Sequence, residues 1–294
     1  MLGLLKGLGK FGLNELENLN VYEDEKKTTN RKKEEKEAPQ VMKEEDYLFD
    51  KTYECPVCYQ KIKARTVRTG RAKLVRTDIY LRPVYENVEP LKYEVISCPC
   101  CGYSVHSRYF GGLTALQIKA IRETISVSFQ SPTEEKLTYT YEEALGRYKL
   151  SLASAIVRRA RASEKAYICL KAGWLLISME ENLKAREADK EGSQEYEQKL
   201  REIRASQDEF LQNAYEGFLT ARQTEGYPLA GLDESTAEYI TAVLAVRFEQ
   251  YELASRIISS LLTSPSTNSR MKDRAGEIKQ ILVVKLKEKK EEKK

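Results

Sequence analysis

YECPVC (53–58) and CPCCGY (98–103) decide how this chain is read. Each stretch places two thiols two residues apart on a tight Cys-Pro-x-Cys turn. Such a turn aims both sulfurs at one point while backbone N–H groups support them. Two such turns supply the four soft ligands that tetrahedral zinc prefers, with Zn–S near about 2.3 Å. Cys55, Cys58, Cys98 and Cys101 are therefore the expected ligands of one structural zinc ion. A closed four-thiolate set has no open position for water, so it stabilises a fold. Other uses of the thiols fit less well. A redox dithiol belongs near a βαβ pattern, and none is visible. An iron–sulfur cluster takes four thiolates too, but its usual tight cysteine runs do not match.

In the second turn, pairing Cys98 with Cys101 keeps the two-residue gap, and Gly102 supplies permissive backbone after the last ligand. Cys100 is then a spare thiol beside the site. His106, the single histidine, reads as an ordinary polar residue.

The segment between the turns predicts a ribbon. Candidate strands are 61–67, 72–77 and 92–97, with Thr69-Gly70 as a hairpin turn joining the first two. Lys61, Lys63, Arg65, Arg68, Arg71, Lys73, Arg76 and Arg82 oppose only Asp78 there, with Tyr80 and Tyr85 interleaved. One reading is contact with a phosphate backbone or an acidic partner. The other is a solvated sheet face, partly neutralised by Glu86, Glu89 and Glu94.

After Gly111-Gly112 the apolar period becomes helical. A connecting helix is expected over 113–125. A capping box at Thr140 and Glu143 opens the next helix. Further helices are expected over about 163–188, 193–223, 235–248 (capped by Ser235 and Glu238) and 251–262, with a last helix fading into KLKEKKEEKK. Tyr148, Trp174, Phe210, Tyr215 and Phe218 recur at helical spacing, which is core packing first and a peptide groove second. Short turns and small alanine positions suggest stacked antiparallel hairpins. The texture of 238–254 is tetratricopeptide-like, although the 34-residue period is not kept because one helix is too long.

At the other end, residues 1–22 are apolar but glycine-rich. They read as a loose tail folding back on the body, or as a docking peptide for a partner or a membrane surface. Lys6 and Lys10 interrupt this stretch, and no small-residue cleavage site follows, which argues against an export signal. Residues 23–46 are almost purely charged and are expected to be a disordered linker.

The resulting architecture is α+β. A zinc-ribbon-like β module (47–112) precedes an all-α tetratricopeptide-like helical-hairpin array (113–286) and a charged tail (287–294). The 294 residues carry a net charge of only +4, which argues against a whole-protein nucleic-acid binder. Six sparse cysteines point to a reducing, cytoplasmic compartment, and no apolar run reaches the ~18 residues of a transmembrane helix.

FDKTYECPVC (49–58), VRTGRAKLV (67–75), DIYLRPVYENVEPLKYEVISCPCCGYS (78–104), YEEALGRYKLSLA (141–153) and KAYICLKAGWLLI (165–177) together resemble the bacterial family called domain of unknown function 2225. The resemblance covers about residues 47 to 285. It implies a cytoplasmic bacterial protein with a cysteine module before a tetratricopeptide-like module, and no stated activity. Cys100 departs from the pattern, which often has histidine there.

No catalytic set is visible. There is no phosphate-binding Gly-x-x-x-x-Gly-Lys-Ser/Thr loop, no dinucleotide fingerprint, and no nucleophile evident beside His106. The expected function is a non-catalytic protein-interaction adaptor, its partner bound through the helical half. The alternatives are a nucleic-acid-binding zinc ribbon using 61–82, and a thiol-based redox or metal sensor using Cys100.

Overall fold

The structure, a computed structural model, describes residues 43–131 and 136–291. The segment 1–22 and nearly all of the charged stretch 23–46 lie outside the described residues.

Small antiparallel sheets come first and helices follow. β1 (Leu48–Glu54) pairs with β2 (Lys61–Val67), from Leu48↔Val67 to Glu54↔Lys61, and the turn joining them is the first cysteine turn. β3 (Lys73–Thr77) pairs with β4 (Pro83–Glu86) through a register shift between Leu74 and Arg76. β5 (Val95–Ser97) pairs with β6 (Ser104–His106) across the second cysteine turn.

The pairing corrects the expected hairpin. β2 has its anticipated bounds, yet its partner is β1 and not the strand after Thr69-Gly70. Gly70 does adopt a turn conformation, at φ 75°. The backbone N–H of Arg68, however, donates to Tyr47 O at 2.8 Å and ties the end of β2 back to the entry of β1. The strand expected over 92–97 is shorter for a local reason. Pro90–Tyr93 forms a 3-10 turn whose Leu91 N–H is capped by the Glu89 carboxylate, leaving Val95–Ser97 to pair. The strands therefore flank each cysteine turn on both sides and do not merely lie between the turns.

The helices are α1 (Ala115–Ile121), continued by a π turn at Arg122–Ser126, α2 (Tyr141–Val157), α3 (Ala162–Arg186), α4 (Gln194–Thr224), α5 (Glu234–Arg247), α6 (Tyr251–Thr263) and α7 (Ser269–Glu291). The Thr140–Glu143 capping box opens α2 as expected. α5 is capped by Asp233, which accepts from Thr236 N–H at 2.7 Å, and not by Ser235. Asp233 has the extended backbone that a cap requires, whereas Ser235 already lies inside the helix. Residues 287–291, expected in the tail, continue α7.

α3 is buried on nearly every side from Ala166 to Leu176, as befits a helix apolar all round. Tyr148, Trp174, Phe210, Tyr215 and Phe218 all lie in the core around it. Leu91 and Val95 join the same core, so hydrophobic packing runs unbroken from the strand region into the helices. Among the described residues no helix is long and apolar enough to cross a membrane.

α3 and α4 approach closely at glycines. A Cβ on Gly217 would sit 2.8 Å from Ala166 Cβ and 3.2 Å from its Cα. Alanine has no alternative rotamer with which to escape. Gly217→Ala should therefore destabilise the protein by about 1–3 kcal/mol, read as a lower denaturant midpoint at unchanged m-value. An unchanged midpoint would mean that the two helices separate freely.

Candidate metal centre

The two cysteine turns are built alike. In the first, Cys55 N–H donates to Gln60 O at 3.0 Å and Tyr59 N–H to Cys55 O at 2.8 Å. In the second, Cys98 N–H donates to Tyr103 O at 2.8 Å and Gly102 N–H to Cys98 O at 3.0 Å. The residue after each second thiol is left-handed, Tyr59 at φ 62° and Gly102 at φ 75°. Glycine is needed at 102 for a second reason, since an added Cβ would fall 2.6 Å from the Phe129 ring. Tyr59 has no such cover and stands 60% exposed.

The turns meet tip to tip. The sulfurs of Cys55, Cys58, Cys98 and Cys101 all lie within 4.8 Å of one another. Sγ of Cys55 is 3.6 Å from that of Cys101, and Sγ of Cys58 is 3.6 Å from that of Cys98. Sulfurs about 2.3 Å from a central tetrahedral ion would be about 3.8 Å apart, so this group can hold one metal ion. Cys55, Cys98 and Cys101 are buried and Cys58 half-buried, whereas Cys100 is exposed and outside the group.

Crowding shows in the proton affinities. Hydrogen bonds from the neighbouring thiols of Cys101 and Cys98 draw the Cys55 pKa down, helped by backbone N–H groups of Cys58 and Val57. Cys98 and Cys101 are pushed up, each chiefly through its hydrogen bond to a neighbouring thiol in the group. Four thiolates at this spacing require a cation, and binding one displaces protons.

A third element holds the two turns together. From the π turn after α1, the Arg122 guanidinium donates to the Val57 carbonyl through Nε at 2.9 Å and through Nη2, and lies 5.6 Å from the Tyr59 ring centre. Ser126 Oγ donates to the Cys101 carbonyl at 2.9 Å. One strap thus grips both turns, and Ile121 shares a buried cluster with Cys55, Val57, Cys98 and Tyr103. Outer partners of this kind orient metal ligands. Arg122→Gln combined with Ser126→Ala should weaken metal retention by about 10–100-fold, measured by competition with a chromogenic chelator. Retention equal to wild type would show that the strap is irrelevant to the site.

His106 is buried and is not a member of the sulfur group. Its Nε2 lies 3.3 Å from Glu94 Oε2 without making a hydrogen bond, and its Nδ1 accepts from Arg108 N–H. Glu94 is the hub of a polar cluster that the sequence reading missed. Lys171 Nζ approaches Glu94 at 3.0 Å, and Tyr148 Oη donates to it at 3.2 Å and to Leu91 O at 3.1 Å. The available signal was Lys171, the one charged residue inside the apolar run AYICLKAGWLLI (166–177), a stretch otherwise suited to full burial.

The basic stretch does not form one face, because β2 and β3 belong to different sheets. Lys61 and Lys63 are exposed on β2 opposite Glu54 and Thr52. Arg65 pairs with Asp50 at 3.1 Å, Lys73 with Glu86 at 3.0 Å and Arg76 with Glu181 at 3.5 Å. Arg68 donates to Leu48 O and lies over Phe49, while Arg71 is exposed. Arg82 corrects the expectation of a surface contact. It is 1% exposed, and its guanidinium is engaged by Asp78, Ser178 and Glu181.

No curated protein and no solved structure matches the chain. A family match covers residues 48–282, taking in both cysteine turns, the strap and nearly all the helices. The chain accordingly belongs to the family described as "Uncharacterized protein conserved in bacteria (DUF2225)".

Proposed function

We propose that this protein is a non-catalytic interaction adaptor whose strand region is held by one structural zinc ion on Cys55, Cys58, Cys98 and Cys101. The observation that carries the reading is the closed sulfur group. Four thiols within 4.8 Å supply a complete coordination sphere and leave no position for substrate or water. The spacing also favours a single ion, because an iron–sulfur cluster would hold its sulfurs wider apart around several metals. When bound, zinc would supply cross-linking and charge neutralisation. The chain's own residues hold the turns in place and tie them to α1.

In this reading residues 47–112 are the zinc-ribbon-like part and 113–286 the tetratricopeptide-like part of a cytoplasmic protein. Apolar side chains exposed on α7, including Val283, Val284 and Leu286, support a protein partner. A nucleic-acid role for 61–82 is weakened by the ion pairs and by the burial of Arg82. Exposure of Cys100 beside the sulfur group keeps a thiol-sensor role as the second reading, and abolition by Cys100→Ser of a reversible change on mild oxidation would favour it.

The test has two parts. Metal analysis of purified protein should give one zinc per chain, and iron in its place would sink the zinc assignment. Affinity capture from the native cell, read by mass spectrometry, should return a stoichiometric protein partner. Capture of nucleic acid alone, lost at high salt, would replace the adaptor reading.

A further inference from the structure

A cleft of about 970 Å³ opens where the strand region meets the helices. Its walls come from β4, the 87–92 turn, the start of α2, the second half of α3 and the first half of α4. Six glutamates line it against two lysines and two arginines. Three of those bases are already matched: Lys92 to Glu44 at 2.5 Å, Arg82 to Glu181 at 2.7 Å and Lys199 to Glu187 at 3.8 Å. The fourth, Arg186, is exposed near the end of α3. Among the described residues, Glu89, Glu142 and Glu202 make no ion pair, so carboxylate charge is in excess.

Glu89 is the sharpest of the three. Burial pushes its carboxyl up, and hydrogen bonds from Ser178 and from Leu91 N–H, together with the charge of Arg82, only partly offset this. Arg82, the base whose charge acts on it, is already engaged by Asp78, Ser178 and Glu181. Tyr85, Tyr139 and Tyr141 stand in the same wall. Two of these rings already carry cations of the chain: Arg147 lies 3.9 Å from the centre of Tyr139 and Lys92 5.5 Å from that of Tyr141. A desolvated carboxylate among tyrosine rings suits a cation, because the carboxylate supplies opposite charge and the ring faces replace water.

We infer that this cleft binds a basic peptide segment of a partner protein, seating a lysine or arginine side chain against Glu89 and the tyrosine wall. Glu142 on α2 and Glu202 on α4 continue the acidic track along the cleft. The volume of about 970 Å³ suits a chain of several side chains better than one small amine. The inference names the partner's chemistry and rests on the adaptor reading for the partner being a protein.

Fluorescence anisotropy on the full-length protein tests it. The probes are fluorescein-labelled Gly-Arg-Gly-Arg-Gly-Arg-Gly and its glutamate counterpart, with spermidine as unlabelled competitor. The arginine peptide should bind with salt-sensitive affinity, and the glutamate peptide should not. Glu89→Gln, which keeps an acceptor for Leu91 N–H, should weaken binding by about ten-fold or more. Glu252→Gln, on an exposed position of α6, should not. Should Glu89→Gln fail to fold, the pair Glu142→Gln and Glu202→Gln must show the same loss. Equal binding by the Glu89 and Glu252 variants, or no binding of the arginine peptide at low salt, overturns the inference. Displacement by spermidine at concentrations below those of unlabelled arginine peptide makes the cleft a small-amine site and also overturns it. Capture from the native cell separates the two readings. A partner retained by Glu89→Gln sinks the cleft and leaves the adaptor. Peptide binding without any captured partner sinks the adaptor and leaves the cleft.

Discussion

Cys98→Ser should abolish stoichiometric zinc and lower the thermal midpoint by more than about 10 °C, the largest effect of any single change in this chain. Cys98 is fully buried, and its sulfur lies 3.6 Å from that of Cys58. A serine oxygen is a poorer ligand for zinc. The three remaining thiols would hold an incomplete sphere in a site buried on all but the Cys58 side. Structural zinc contributes on the order of 10 kcal/mol to finger-like units, and a fraction of that suffices for the expected shift. Chelation of the wild-type protein should reproduce the effect. So should acid, because protons compete with the ion for each sulfur. Metal analysis alongside circular dichroism on heating checks it. A wild-type midpoint indifferent to chelator would end the structural-metal reading.

Lys171→Met should cost about 2–3 kcal/mol, the second largest effect, because it leaves the half-buried Glu94 carboxylate, whose side chain is 25% exposed, without its ammonium partner. Adding Glu94→Gln to that variant should recover part of the loss, since the stranded charge disappears with it. Burial alone would raise the Glu94 pKa. Lys171 and His106 outweigh it and bring the value from 4.5 to about 2. The folded value lies below the unfolded one. The carboxylate therefore contributes its full stabilisation above about pH 4.5 and loses it progressively as pH falls toward 2, on the order of 3 kcal/mol in all. Because acid also acts on the four clustered cysteines, the quantity to measure is the difference between wild type and Glu94→Gln in urea at each pH. A difference that stays constant from pH 6 to pH 3 would contradict the account.

The features legible in the sequence are those set by neighbouring residues. Cys-x-x-Cys spacing is local, and so is the Thr140–Glu143 capping box; both stand where expected. Features that depend on distant partners were not legible. Thr69-Gly70 resembles a hairpin turn because Gly70 does turn, but strand choice was settled by β1, which carries the first cysteine turn. The basic stretch read as one charged face because Asp50 and Glu181, which answer Arg65, Arg76 and Arg82, lie elsewhere in the chain. The strap is of the same kind. Arg122 reaches a carbonyl 65 residues away and Ser126 one 25 residues away, and neither residue type at its position announces that bond.

The order of these pieces along the chain also governs how the protein is made. Cys55 and Cys58 leave the ribosome first, and Cys98 follows Cys58 by 40 positions. At ordinary elongation rates of about 5–20 residues per second, the early thiols wait roughly 2–8 s before their counterparts exist, and longer before Ser126 can brace the second turn. During that interval the nascent N-terminal hairpin is a two-sulfur chelate, open to scavenged metal or to oxidation. If the sulfur group takes up its metal as it forms, metal supply in the first seconds of synthesis would bear on yield.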